Sequence, residues 1–218
     1  MIETAVALGD NRALSTVSAR QVARAIRIGR NEGAAAERSL IRAAQGGSEE
    51  AVEALYRRHW PRAHRAAYLI VHDPAVAEDI AQEAFLAALR ALDRFDWRRP
   101  FGPWLHRIAV NRAIDWARRR ALRREVLPGE SAATDPVEHP AAPHSDPAGG
   151  GARPVGEEML AALAALPADQ RGVVVLRYLL DYTPGEIASM LELPRGTVNS
   201  RLRRGLDRLG EALGEGIR

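Results

Sequence analysis

The chain has 218 residues, 46% of them hydrophobic, and a net charge of +3, so it holds enough apolar material for packed cores and is not a disordered polymer. It has no cysteine, which excludes disulfides and cysteine-ligated zinc, and no apolar run long enough to span a bilayer. Polar, mixed-charge residues follow Met1 where a signal peptide would need an apolar segment, so the expectation is a soluble, cytoplasmic protein without membrane insertion.

Residues 1–38 read as a polar leader of unassigned function, with Ser18 and Gln21 as a capping box before a helix beginning "VARAIRI". Residues 39–120 read as all helix. "SLIRAAQ" ends at the C-cap signal Gly46-Gly47, and Ser48 caps "EEAVEALYRRHW". Pro61 is expected to open the next helix, "PRAHRAAYLIV". Asp73-Pro74 starts a long helix through "PAVAEDIAQEAFLAALRALDRF", with Val76, Ile80, Ala84, the nearby Leu86, Leu89 and Leu92 at a 3.6-residue period. After a loop, "DWRRPFG", Pro103 opens "PWLHRIAVNRAIDWARRR". Residues 121–156 hold six of the thirteen prolines and Gly149-Gly150-Gly151, and read as a flexible linker without a core. Residues 157–213 are helical again, and residues 214–218 form a short tail. The run "VVVL" has strand propensity, but its helical neighbours and the lack of a strand partner favour helix. The fold class is therefore all-α: two small helical domains joined by a linker.

The last two helices form a helix-turn-helix. Thr183 is the N-cap, Pro184 the first helical residue and Glu186 the reciprocal capping partner. "LELPRG" turns the chain. In the second helix Val198, Leu202 and Leu209 make a buried seam, with Gly205 permitting close approach. Asn199, Ser200, Arg203 and Arg204 point away from it. Residues 195–208 carry five Arg and one Asp, and a cationic helix with exposed Asn and Ser suits a DNA major groove.

Three charge blocks complete the pattern. All 31 basic residues are arginine; GC-rich coding accounts for most of that bias, so their placement is the better evidence. Residues 94–124 hold ten Arg against Asp96 and Asp115, interleaved with Phe95, Trp97, Phe101, Trp104 and Trp116. Arginines neutralise phosphates and aromatic faces receive unstacked bases, so this block suits single-stranded nucleic acid. Trp104 and Phe101 also fit a core role; Trp97, in the loop beside Arg98-Arg99, is the better contact. Residues 73–83 carry Asp73, Glu78, Asp79 and Glu83 without a basic residue, a surface for a basic protein. The stretch 125–152 is acidic, with five carboxylates and no Arg.

"AEDIAQEAFLAALRALDRFD", "PFGPWLHRIAVNRAIDWARRR" and "ALPADQRGVVVLRYLLDYTPGEIASMLELPRGTVNSRLRRGLDRL" together resemble the sigma-70 family of RNA polymerase sigma factors, in its short extracytoplasmic-function (ECF) class. The resemblance implies sigma region 2 at 39–120 and region 4 at 157–213. It implies that Asp79, Gln82 and Glu83 dock on core RNA polymerase. It assigns Phe95, Trp97, Arg98, Arg99, Phe101 and Asn111 to capture and melting of the promoter −10 element, with Arg112, Arg118 and Arg119 on the DNA backbone. It assigns the −35 element to Asn199, Ser200 and Arg204, with Arg195, Thr197 and Arg203 near phosphates. An anti-sigma factor is the further partner it implies. Asn199 stands where many relatives carry a basic residue, which leaves the −35 preference open. The lack of room for a region 3 domain, and of a domain after residue 213, fits the ECF class.

The competing class is a conventional helix-turn-helix regulator acting without polymerase, which would use two-fold half-site geometry. It requires no acidic face beside an Arg/aromatic one. An enzyme would need clustered carboxylates, a metal or an activated nucleophile. The six histidines (59, 64, 72, 106, 139 and 144) show no ligand spacing, so no catalytic group, metal or cofactor is expected.

Overall fold

The computed structural model describes residues 33–126 and 156–215. The leader helix expected near residue 18 and most of the acidic linker lie outside the described residues. Every regular element among the described residues is helical.

Helix α1, residues 33–45, stops where the sequence places its C-cap: Gly47 takes φ 90°. The Ser48 N–H donates to Ala43 O and the Gly47 N–H to Ala44 O, each at 3.0 Å, which closes a Schellman motif. Ser48 Oγ then caps α2 (Glu49–Val71) by accepting from the Ala51 N–H. Pro61 does not begin a helix; it lies inside α2. One missing N–H is outweighed because Leu55 before it and Ala63, Ala66 and Ile70 after it are all buried on one continuous face. Asp73 caps α3 (Pro74–Arg90), which ends earlier than the periodicity implies and tightens into a 3-10 turn at Leu92–Arg94. Helix α4 (Phe101–Val126) begins two residues before Pro103 and runs past residue 120. Pro103 is tolerated there because first-turn N–H groups have no intrahelical acceptor. Helices α5 (Glu157–Ala165), α6 (Ala168–Tyr178), α7 (Pro184–Leu191) and α8 (Arg195–Glu215) follow, with "VVVL" inside α6.

Two apolar cores result. One is internal to α1–α4 and is filled by Ile41, Leu55, Phe85, Leu92, Phe101 and Leu105. The other is shared between the two halves of the chain. Ile70, Ala77, Ile80, Val110 and Ile114 from α2–α4 meet Leu163, Val173, Leu176, Ile187 and Val198 from α5–α8. Helix α4 therefore buries two faces, Leu105 and Ala109 on one and Val110 and Ile114 on the other.

The seam has polar fasteners. Arg171 on α6 donates to the carbonyls of Ile70, Ala164 and Leu166, uniting the ends of α2 and α5. Burial lowers its pKa to about 10. Its guanidinium also donates to His72 Nδ1 at 3.2 Å. Burial, and then the Arg171 charge, push His72 down to about 4. His106 Nδ1 and the Tyr182 hydroxyl share a hydrogen bond of 2.7 Å across the halves, and burial lowers His106 to about 3. Asp169 bridges Arg118 of α4 and Arg201 of α8, at 2.5 and 3.1 Å, and Arg107 pairs with Glu192. Gly172 packs so close to Ile114 that a Cβ there would lie 2.4 Å from its Cδ1.

Candidate nucleic-acid and protein interfaces

The helix-turn-helix forms through local chemistry. Thr183 Oγ1 accepts from the Glu186 N–H at 3.3 Å, and Glu186 Oε2 accepts from the Thr183 N–H at 2.7 Å. The Thr183 hydroxyl, which also donates to Glu186 Oε2 at 2.7 Å, and then the Thr183 N–H hold the Glu186 carboxyl below its ordinary pKa. Glu192, at φ 54°, ends α7 and lets Pro194 restart the chain. Val198, Leu202 and Leu209 are buried, and a Cβ on Gly205 would lie 3.0 Å from Val174 Cγ2, so α8 docks closely on α6. Arg195, Asn199, Ser200, Arg203 and Arg204 are exposed and Thr197 is half-buried. Arg204 Nε donates to Ser200 O at 3.2 Å, so two candidate reading residues brace one another at i, i+4.

In the other half, the loop before α4 presents Trp97. Its ring is half-buried, with the Arg42 and Arg98 guanidinium carbons 5.2 and 5.4 Å from the ring centroid. Arg98 and Arg99 are exposed. Phe101 is not: it is fully buried, and therefore supports the loop from within instead of offering a face to a base. Phe95 stacks on Trp104 at 4.4 Å and is half-buried. Along α4, Asn111 is half-buried, and Arg112, Arg118 and Arg119 are exposed. Arg112 pairs with Glu83, while Arg118 is held by Asp169.

On α3, Asp79, Gln82 and Glu83 are exposed, opposite the buried Ala77, Ile80, Ala81 and Ala84. Gln82 Nε2 donates to Glu78 Oε1 at 3.1 Å. The acidic patch thus adjoins the arginines of α4 and meets them at Glu83–Arg112.

Residues that no sequence motif singled out hold the loop. Gln45 Nε2 donates to Leu92 O at 2.9 Å and Phe95 O at 2.8 Å. Glu37 Oε1 accepts from the Phe101 N–H at 2.9 Å and lies 3.4 Å from His59 Nε2. Burial raises the Glu37 carboxyl's pKa, but His59, the Phe101 N–H and Arg58 outweigh it and leave it lowered. The three hydrogen bonds to the loop and to Phe101 join residues 47 to 64 apart, beyond any local spacing rule. Asp169 was likewise unmarked. Among the described residues no group of three or more His, Asp and Glu could hold a metal ion, and no helix is long and apolar enough to cross a membrane.

Comparison with known proteins bears on both halves. The family profile described as Sigma-70 region 2 matches residues 55–123, and that described as Sigma-70, region 4 matches residues 156–209. The ECF RNA polymerase sigma factor SigM of Mycobacterium tuberculosis is 34% identical over 195 residues, covering 85% of this chain and 88% of SigM. The ECF RNA polymerase sigma factor SigW of Bacillus subtilis is 30% identical, covering 79% of this chain and 94% of SigW. Among solved structures, CnrH in complex with the cytosolic domain of CnrY superposes with a TM-score of 0.58 at 28% identity, covering 83% of this chain and 98% of CnrH. RpoE of Bartonella quintana, solved with the anti-sigma factor NepR, shares the fold with a TM-score of 0.54 at 23% identity, covering 74% of this chain and 96% of that one.

Proposed function

Because the chain belongs to the sigma-70 family of RNA polymerase sigma factors, in its ECF class, we propose that it binds core RNA polymerase, directs it to specific promoters and assists their melting. Residues 39–120 act as region 2 and residues 157–213 as region 4. The protein works in the cytoplasm and contributes no catalytic group; phosphodiester synthesis belongs to the polymerase. An anti-sigma factor is the further partner, and the relative CnrH was itself solved bound to the cytosolic domain of CnrY.

One observation carries this reading. A single four-helix unit exposes an acidic face at Asp79, Gln82 and Glu83 beside a cation-flanked Trp97. DNA is repelled by the first and attracted by the second, so the unit suits two different partners at once. Asp79, Gln82 and Glu83 meet the polymerase. Trp97, Arg98, Arg99, Phe95 and Asn111 receive the opened −10 strand, and Arg112, Arg118 and Arg119 follow its backbone. Phe101 contributes from the core. Asn199, Ser200 and Arg204 read −35 base edges, with Arg195, Thr197 and Arg203 at phosphates.

The experiment is in vitro transcription with core polymerase and genomic DNA. Transcripts with defined start sites are expected. Asp79→Arg should lower core affinity without lowering the melting temperature. Asn199→Ala with Arg204→Ala should weaken −35 use; each lost base contact is worth about 1–3 kcal/mol. A folded protein that never co-elutes with sigma-free polymerase overturns the proposal.

A further inference from the structure

The loop that carries Trp97 does not hold itself in place. Residues 91–100 contain one 3-10 turn and a tight turn in which the Arg98 N–H donates to Asp96 Oδ1 at 3.0 Å. Leu92 and Phe95 pack into the core and on Trp104, and the loop's long-range hydrogen bonds come from α1. Gln45 commits its amide nitrogen to two carbonyls of the loop, at Leu92 and Phe95. Glu37 takes the Phe101 N–H, one of the α4 donors that no helical carbonyl can reach. Both ends of the loop are thereby tied to one helix. That helix is fixed by Ile41 and Ala44, both buried in the core of α1–α4. It lies before residue 55, where the match to region 2 begins.

Between the two tethers on α1 stands Arg42. It is exposed, its guanidinium lies over the Trp97 ring, and among the described residues it pairs with no carboxylate. A guanidinium held over an indole by cation–π attraction spends no N–H donor on a carboxylate, which leaves its donors for a phosphate. Arg112 and Arg118, by contrast, already have acidic partners in this arrangement.

We infer that α1 is a working part of the strand-capture site: Gln45 and Glu37 are positioning residues that set the ends of the Trp97 loop, and Arg42 holds the indole and neutralises a phosphate of the captured single strand. This rests on the sigma-factor reading and deepens it. An extruded base needs a pocket whose walls are already in place. Here the walls are held by hydrogen bonds to backbone atoms, so the loop keeps its shape whatever its side chains contact.

The test uses the full chain with core polymerase, on a promoter recovered by sequencing transcripts made by the wild-type holoenzyme. Binding is measured to intact duplex and to a forked template with a single-stranded −10 segment, and opening is read by permanganate reactivity. Gln45→Leu should reduce opening about tenfold while core and duplex affinities stay within about twofold. Glu37→Ala should behave similarly, and Glu37→Gln, which keeps an acceptor for the Phe101 N–H, should restore opening. Arg42→Gln should weaken forked-template binding and make its log K against log salt slope shallower by about 0.7, one single-strand phosphate. Gln45→Leu should leave that slope unchanged. If Gln45→Leu and Glu37→Ala lower opening, duplex binding and core binding alike, the two residues only support the fold and the positioning role is overturned. An unchanged slope and affinity in Arg42→Gln removes its phosphate role. If the wild type transcribes from no promoter, the sigma-factor reading itself falls, and the inference with it.

Discussion

Gly172→Ala tests the shared core with one added carbon. An ideal Cβ at Gly172 would stand 2.4 Å from Ile114 Cδ1 and 2.8 Å from Cγ1, where carbon contacts are favourable only at about 3.5–4.0 Å. Ile114 is 5% exposed and has little room to rotate away, and Val110 Cγ1 lies 4.0 Å from the same Cβ. Overpacking of this kind costs roughly 1–3 kcal/mol. Within α6 alone the same change is favourable, since Ala is preferred to Gly in a helix by about 1 kcal/mol. The substitution should therefore strengthen α6 and weaken its seam with α4, lowering the equilibrium constant between the form in which the halves share a core and one in which they part by about 5- to 150-fold. The chain has no cysteine, so Arg90→Cys and Glu211→Cys on exposed helix positions can carry a donor and acceptor dye for distance measurements. A longer-distance population should appear in Gly172→Ala, grow in Gly172→Val, and shrink when Ile114→Ala is added. Unchanged distances together with a lowered melting temperature, not rescued by Ile114→Ala, would refute this account of the contact.

Further outcomes follow from the seam and from the helix-turn-helix. Arg171→Met should remove the donor shared by the Ile70, Ala164 and Leu166 carbonyls and cost on the order of 2–3 kcal/mol, seen as a lower urea midpoint. His72 and His106 are both held below the ordinary histidine pKa of 6.5, so each contributes stability that is complete above pH 6.5. That stability is lost as pH falls towards about 4 for His72 and about 3 for His106, by up to about 1.4 kcal/mol per pH unit for each group. Arg171 faces His72; Tyr182, His59 and Arg62 face His106. Urea midpoints between pH 7.5 and pH 4.5 should therefore fall, and His106→Gln should flatten part of the decline. Thr183→Ala should cost about 1 kcal/mol by opening the capping box, measured as a lower melting temperature.

The sequence made some of this architecture legible and left other parts hidden, for physical reasons. Caps are local: Thr183 and Glu186 lie three residues apart, and Asp73 precedes Pro74, so the starts of α7 and α3 could be read directly. The seam of α8 followed from helical period, and Val198, Leu202 and Leu209 are buried as that period requires. Pro61 misled because the N1 preference is local, whereas continuous burial on both sides of it is tertiary. Phe101 sits in a motif assigned to DNA, but the packing of Phe85, Phe95 and Trp104 around it draws it inward. The tethers Glu37 and Gln45 are ordinary polar residues of a short helix, and only the fold reveals their distant partners. The core shared between halves left one trace: α4 is apolar on two sides, more than a helix with a single neighbour needs.

That two-sided helix has a consequence for measured affinity. Two DNA elements set two duplex turns apart, as the proposed promoter reading requires, would be separated by about 70 Å. Halves that share a core cannot straddle such a span, so on the proposed function a molecule engaging both elements would first have to part them. A dissociation constant for any partner that takes only the parted form would then carry that form's fraction as a divisor. Substitutions at Ile114 or Gly172, both buried in the shared core, would then change apparent recruitment without removing a side chain that faces a partner.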